Sequence, residues 1–307
     1  MPLFKLQNNN LESIVPKDFK EKTLQRITEK NLIKIFNLKF VSTEFALHNF
    51  RIDTLAYDEE SSSFVIVEYK KDRSFSVIDQ GYSYLSLLLN NKADFILEYN
   101  EKNNKSLKRE DVDWTQSRVM FVAKDFTSYQ LNAINFRDLP IELWEAKLYQ
   151  NDIFLYNQLK SPDTNESIKT VSKSKTIESV SREVKKYTIS DHFKEGWETS
   201  KEIYEILRDR ILEIDSRIEE KFNRNFIGYK LGSNNICTIH TRQTKLNVSL
   251  IRVDKEDLKD PEKKIKEIPW KKLEWGKQCK VIIENKQDLD YTMFLIKQVY
   301  EKFYKLK

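Results

Sequence analysis

Residues 51–85 read RIDTLAYDEESSSFVIVEYKKDRSFSVIDQGYSYL, and the fold turns on how this stretch pairs with itself. β-Branched and aromatic residues flank the polar run DEESSS, the pattern of two strands joined by a loop. If Tyr57 pairs with Phe64 across the loop Asp58 to Ser63, the antiparallel register sets Asp53 opposite Glu68 and Arg51 opposite Lys70. Alternation of side chains then places Phe64, Ile66, Glu68 and Lys70 on one face, with Arg51 and Asp53 on the matching face of the partner strand. Downstream, Ser76 with Asp79 three residues on is a capping signature. Val77, Gly81, Tyr84, Leu85 and Leu88 predict a helix from there to about Asn90.

Working outward, Leu24, Ile27, Leu32, Ile35 and Phe36 recur at helical spacing and predict an amphipathic helix over about 18–36. The segments Glu44 to Tyr57 and Phe64 to Lys70 read as strands. So do Ala93 to Glu98, Arg118 to Ala123 and Ile141 to Leu148, with a helix at about Ser128 to Phe136. Strands interleaved with helices predict an α/β core with a central mixed sheet. Residues 161–189, rich in Ser, Thr and Lys and weak in apolar period, read as a linker between domains at 1–160 and 190–307. The second region predicts a helix from about Trp197 to Phe222 and a hairpin in which Arg242 pairs with Lys245. In that register Cys237, Ile239, Thr241, Leu246, Val248 and Leu250 share a core face, and Thr238, His240, Arg242, Lys245, Asn247 and Ser249 share a wet one. A strand at Lys280 to Glu284 and a helix at Asp288 to Phe303 complete a smaller α/β unit.

Composition removes whole function classes. The 307 residues are 39% hydrophobic and 33% charged, enough to bury a sizeable core and too apolar for a wholly disordered chain. No apolar run reaches membrane-spanning or signal-peptide length, so a cytoplasmic protein without membrane contact is expected. The pair Cys237 and Cys279 excludes a disulfide framework and four-cysteine zinc modules, and His48, His192 and His240 are scattered. Five glycines form no phosphate-binding loop or dinucleotide fingerprint, and there is no nucleophile elbow.

Directly opposed carboxylates such as Asp53 and Glu68 repel, so a cation belongs between them. A hard divalent ion, Mg²⁺ or Mn²⁺, takes oxygen ligands and keeps several waters, which suits two carboxylates and a substrate phosphate. Lys70, beside Glu68, can hold a phosphate oxygen or orient the attacking water. An Asp on one strand followed by Glu68-Tyr69-Lys70 on the next resembles the active-site hairpin of the PD-(D/E)XK nuclease superfamily. Together with TLQRITEKNLIKIF, TEF, RIDTLAYD, VIVEYK and DQGYSYL, it resembles the NucS-type branch over roughly residues 18–158.

That resemblance implies a restriction-endonuclease-like core and Mg²⁺-dependent hydrolysis of phosphodiester bonds in DNA, in defence or repair. It implies that Asp53, Glu68 and Glu29 serve the metal, that Lys70 drives hydrolysis, and that Gln80 fixes a ligand or phosphate. Ile52 stands where the superfamily's proline does, a variation this branch shows. NucS enzymes carry a DNA-binding domain ahead of the nuclease, and this chain starts almost at the nuclease helix, so their preference for mismatched or branched DNA does not transfer. The second region resembles a C-terminal domain of prokaryotic nuclease and defence-like proteins that names no active site.

Glu44 and Tyr84 read as structural. Arg51, Arg242, Lys245, Lys271 and Lys272 are candidate nucleic-acid contacts, the last two in a lysine-rich run with Trp270 and Trp275. Residues 1–160 hold 22 basic and 23 acidic side chains and residues 190–307 hold 25 and 21, so the surplus of the net +5 lies outside the acid-bearing region. Two other readings stay open: a non-cleaving nucleic-acid-binding regulatory or defence adaptor on the same fold, and an RNA nuclease. A homodimer also remains open.

Overall fold

A computed structural model of the protein describes residues 3–70, 76–136, 138–159, 166–268 and 277–304. The chain divides into two units, residues 1–58 with 62–186, and 59–61 with 187–307.

The first unit opens with a small hairpin, β1 (Phe4–Gln7) and β2 (Asn10–Ser13), and a short strand β3 (Pro16–Lys17). The helix expected over 18–36 is broken into α1 (Glu21–Lys30) and α2 (Leu32–Phe36). Asn31 leaves the helical region there, and its side-chain amide donates to the Ile27 carbonyl at 2.8 Å. The segment Glu44 to Tyr57 is likewise two elements, because the chain reverses at His48 and Asn49 between β4 (Lys39–Leu47) and β5 (Phe50–Asp58). His48 takes a left-handed φ of 53°, which a turn needs and which the sequence does not announce. β6 (Ser63–Lys70) follows, then α3 (Val77–Asn90), whose Ser76 side chain accepts from the Asp79 N–H at 3.2 Å. Ala93 to Glu98 lies inside a helix, α4 (Lys92–Asn103), where Phe95 and Tyr99, one turn apart, are buried. β7 (Arg118–Ala123), α5 (Ser128–Ala133), β8 (Ile141–Tyr149) and β9 (Phe154–Leu159) complete the sheet-forming part.

The sheet runs β3-β8-β7-β6-β5-β4, with β9 beside β8. β6-β7 and β7-β8 are parallel and the other pairs antiparallel, so the sheet is mixed as expected. Along β6 the side chains alternate between two cores. Val65, Val67 and Tyr69 pack with Leu24 of α1 and Leu32 and Phe36 of α2. Phe64 and Ile66 pack with Leu85 and Leu88 of α3 and Phe95 of α4. A strand buried on both faces, at about 1.5–3 kcal/mol per large side chain, is a firm base for polar groups at its end.

Residues 161–189 do not behave as the expected linker. Described from 166 onward, they form α6 (Ile168–Val171) and α7 (Lys175–Glu183). Ile168, Ile177, Val180 and Val184 join the core that α3 faces, so the first unit extends to residue 186. Gly81, in the middle of α3, explains one close contact: a Cβ there would lie 2.5 Å from Ile141 Cδ1. Gly81→Ala should therefore lower Tm by a few degrees, because overpacking of about 1–3 kcal/mol outweighs a helix-propensity gain of about 1 kcal/mol. A thermal melt checks this, and a raised Tm would show that Ile141 yields.

The second unit begins with α8 (Ile189–His192) and α9 (Glu198–Leu212). The expected helix to Phe222 stops early, and β10 (Ile218–Phe222) takes its last residues, whose apolar ends suit a strand. The other strands are β11 (Ile227–Leu231), β12 (Asn234–Thr241), β13 (Leu246–Ile251), β14 (Lys266–Glu267) and β15 (Gln278–Ile283). They form an antiparallel sheet in the order β10-β11-β12-β13-β15-β14, and α10 (Asp288–Phe303) closes the chain. The hairpin register is the expected one, with Thr241 opposite Leu246 and the Arg242 N–H donating to the Lys245 carbonyl. Its second face is only partly wet, since Thr238 and Ser249 are buried. Among the described residues no helix is long and apolar enough to cross a membrane.

Candidate active site

The β5-β6 ladder carries Tyr57 opposite Phe64 and runs to Thr54 opposite Val67, the register expected from the sequence. It stops one pair short of Asp53 and Glu68. There the Asp53 side chain takes over from the backbone, its Oδ2 accepting the Tyr69 N–H at 2.9 Å. The two carboxylates thus lie just past the end of the β5-β6 ladder, on the face covered by α3.

Glu68 is 4% exposed and heavily engaged through one oxygen. Its Oε1 accepts from Lys70 Nζ at 2.9 Å and from the Tyr84 hydroxyl at 3.0 Å, with Gln80 Nε2 at 3.5 Å. Gln80 also donates to the Tyr84 hydroxyl at 3.4 Å, so α3 presents the pair one turn apart as a unit. Glu68 Oε2 is buried and has no hydrogen-bond partner among the described residues. Burial raises the Glu68 pKa against the opposing pull of Lys70, the Tyr84 hydroxyl and the Asp53 N–H. Burial and then the Glu68 charge push Asp53 up to about 7. Two carboxylates held this close at neutral pH, one with an orphaned buried oxygen, are short of positive charge.

That donor set fits a hard divalent ion. Among the described residues no group of three or more His, Cys, Asp and Glu side chains is arranged to hold a metal, so water or phosphate oxygens would complete such an ion's shell. Glu29 stands apart from the pair. Its Oε1 accepts from Thr54 Oγ1 at 2.6 Å, and Thr54 projects from the sheet face opposite Glu68. Gln25 Nε2 bridges the two sides, donating to the Asp53 carbonyl at 3.0 Å with Glu29 Oε1 at 3.2 Å.

Tyr84 does more than pack, because its hydroxyl is one of the strongest ties on Glu68. A phenol one turn after Gln80 was visible in the sequence, and its aim was not. If Glu68 holds a divalent ion, Tyr84→Phe should weaken Mn²⁺ binding roughly ten-fold, the usual worth of a hydrogen bond to a charged group, with Tm nearly unchanged. Calorimetric titration with Mn²⁺ decides it, since a purely packing tyrosine would leave the affinity alone.

Glu44, read as structural, is held by contacts with its neighbours. It lies in the middle of β4, between the pairs Thr43–Thr54 and Phe45–Ile52, and so beside Asp53. Its φ of 52° is in the left-handed region, which costs a glutamate on the order of 1 kcal/mol and marks sites where the chain is held for a purpose. Its carboxylate pairs with Arg51 Nε, one of the expected phosphate contacts, which is therefore committed at the rim. Arg242 and Lys245 sit at the β12-β13 turn of the second unit. Arg242 Nη1 donates to the Thr241 carbonyl at 2.8 Å, and Lys245 is 3.9 Å from Glu284. Lys271, Lys272, Trp270 and Trp275 lie outside the described residues.

Comparison with known proteins adds the following. Residues 189–302 match the model of a domain of unknown function, DUF5655. Three solved structures are similar to this chain in part. EndoMS in its apo form is 19% identical with a TM-score of 0.26, over 40% of this chain and 45% of that one. A repair endonuclease from Pyrococcus abyssi is 14% identical with a TM-score of 0.23, over 42% and 47%. SfsA of Pyrococcus furiosus, in complex with Ca²⁺, is 14% identical with a TM-score of 0.24, over 50% and 78%. The chain thus matches less than half the length of either endonuclease. A Haemophilus influenzae protein that carries the description "Uncharacterized protein" is 41% identical over 301 residues, 97% of this chain and 99% of that one. With that identity along nearly the full length of both, the chain belongs to the same family as the Haemophilus influenzae protein.

Proposed function

We propose that the first unit is a Mg²⁺- or Mn²⁺-dependent nuclease that hydrolyses phosphodiester bonds in DNA, with a site of the PD-(D/E)XK type. The observation that carries this reading is the buried Glu68, whose Oε2 has no partner among the described residues while its Oε1 is fixed by Lys70 and Tyr84, next to an Asp53 that burial and Glu68 have pushed up to about 7. A site built only for stability would pair or remove that oxygen.

In this reading Asp53 and Glu68 hold the ion. A divalent ion supplies charge that offsets the negative charge building on the scissile phosphate. Lys70, tied to Glu68, orients the water that attacks phosphorus. Tyr84 and Gln80 keep the Glu68 carboxylate in one rotamer, so its free oxygen always faces the same point. Gln25 fixes the Asp53 backbone from the other side, and Glu29 organises solvent near Thr54. The second unit, with its surplus of basic residues, assists in holding nucleic acid.

The test is nicking of supercoiled plasmid, with branched and single-stranded DNA and an RNA of matching sequence in parallel, in Mg²⁺, Mn²⁺ and EDTA. Cleavage of DNA that requires the ion is expected. Cleavage of RNA alone would move the reading to a ribonuclease. Binding without cleavage in either metal would sink the enzyme and select the non-cleaving adaptor.

A further inference from the structure

Beside the carboxylate pair, on the α1 side of the sheet, lies an open depression of about 350 Å³. Lys22, Gln25, Arg26, Glu29, Thr43 and Glu44 line it. Gln25, 8% exposed, stands between it and the candidate site, its side-chain amide donating to the Asp53 carbonyl. The charges around it are unevenly committed. Glu44 is paired with Arg51, and Glu29 accepts from Thr54 and Gln25. Among the described residues, Lys22 and Arg26 have neither a hydrogen bond nor an ion pair. They stand one turn apart on the exposed face of α1, about 6 Å along the helix. The carboxylates beside them, Glu29 and Glu44, are engaged with other partners.

Two neighbouring cations, free of internal partners and near a site for phosphodiester chemistry, suit a sugar-phosphate backbone. Each strand carries one negative charge per nucleotide. An arginine fork and a lysine ammonium together can hold one phosphate or two successive ones. We propose that Lys22 and Arg26 form a phosphate track that holds a nucleic-acid strand along α1, next to the strand carrying Asp53. This rests on the nuclease reading for what lies beside the track, and on the cavity and its charges for the track itself. Gln25, at its floor, is a positioning residue that couples the track to the Asp53 backbone.

The experiment measures fluorescence anisotropy of fluorescein-labelled 20-mers, single-stranded DNA, duplex DNA and RNA, in EDTA from 50 to 200 mM NaCl. EDTA keeps binding separate from any cleavage. For duplex DNA, the double variant Lys22→Ala/Arg26→Ala should lower the magnitude of the slope of log affinity against log salt by roughly 2, one unit for each lost phosphate contact. Affinity at 100 mM NaCl should fall about ten-fold or more. The swap Lys22→Arg/Arg26→Lys keeps both charges and should restore the slope. The Mn²⁺-induced rise in Tm should match the wild type in both variants, which shows that the fold and the carboxylate site are intact. An effect on the DNA probes, the RNA probe or all of them supports the track and says which strand it takes. Slopes and affinities within two-fold of wild type on every probe would overturn it, as would a wild-type chain that binds none of them. Loss of Mn²⁺ binding or cleavage in the wild type would instead overturn the nuclease reading and leave the salt slopes to decide the track.

Discussion

Glu68→Gln is expected to reduce Mg²⁺-dependent DNA cleavage at least about a thousand-fold while leaving the chain folded. A thousand-fold is roughly 4 kcal/mol of transition-state stabilisation, within what a bound divalent ion contributes to phosphoryl chemistry. The substitution keeps the shape of the side chain and an oxygen that can still accept from Lys70 and Tyr84. It removes the charge that burial already disfavours, so Tm should hold or rise. A residue whose role was only structural would show the opposite pattern, with lost stability and no specific loss of rate. Lys70→Ala should also abolish cleavage, but with a drop in Tm, because it leaves a buried carboxylate without its cation. The measurements are plasmid nicking rates and thermal melts of both variants. Cleavage by Glu68→Gln within ten-fold of wild type would remove Glu68 from the chemistry.

The parts of this site legible in the sequence are those set by local repetition. The β5-β6 register follows from a polar loop between two apolar runs, and a slip of one residue would turn Phe64 and Ile66 out of one core and Val65 and Val67 out of the other. The Ser76 cap and the Arg242–Lys245 turn follow from spacing in the same way. What failed depended on contacts distant in sequence. ADFILE reads equally as a short strand, and only the burial of Phe95 together with Tyr99 makes it helix α4. The stretch at 161–189 looks like a linker because its few apolar residues, Ile168, Ile177, Val180 and Val184, are useful only against a partner surface, which α3 and its neighbours supply. At the site itself, Glu44 carries no hint of its left-handed backbone, and Tyr84 carries none of its aim at Glu68. Both depend on how the strands twist and where the helix sits.

The burial of the Asp53 carboxylate, with the Glu68 charge beside it, should be measurable in the metal-free protein as a loss of stability with rising pH. Unfolded, Asp53 would titrate near its ordinary value of 3.8, whereas in the fold it holds its proton up to about 7. Between those values the native state binds more protons than the unfolded one, so stability falls as pH rises through the window, and the full cost is present above about 7. A shift of this size corresponds to about 4 kcal/mol if taken whole. Asp53 is only half-buried, and solvent screening reduces the expectation to roughly 1–2 kcal/mol. At roughly 2–4 °C per kcal/mol, that is several degrees in Tm. Asp53→Asn removes the titrating group while keeping an acceptor for the Tyr69 N–H, so its melting curves should lose this part of the slope between pH 4 and 7, and the variant should be the more stable at pH 7.5. Divalent ions reverse the ranking. Binding needs ionised carboxylates, so Mn²⁺ should stabilise the wild type increasingly as pH rises and leave Asp53→Asn almost unmoved. Taking the difference between wild type and variant at each pH cancels the other titrating groups, and parallel profiles in EDTA would show that neither burial nor the Glu68 charge raises the Asp53 pKa.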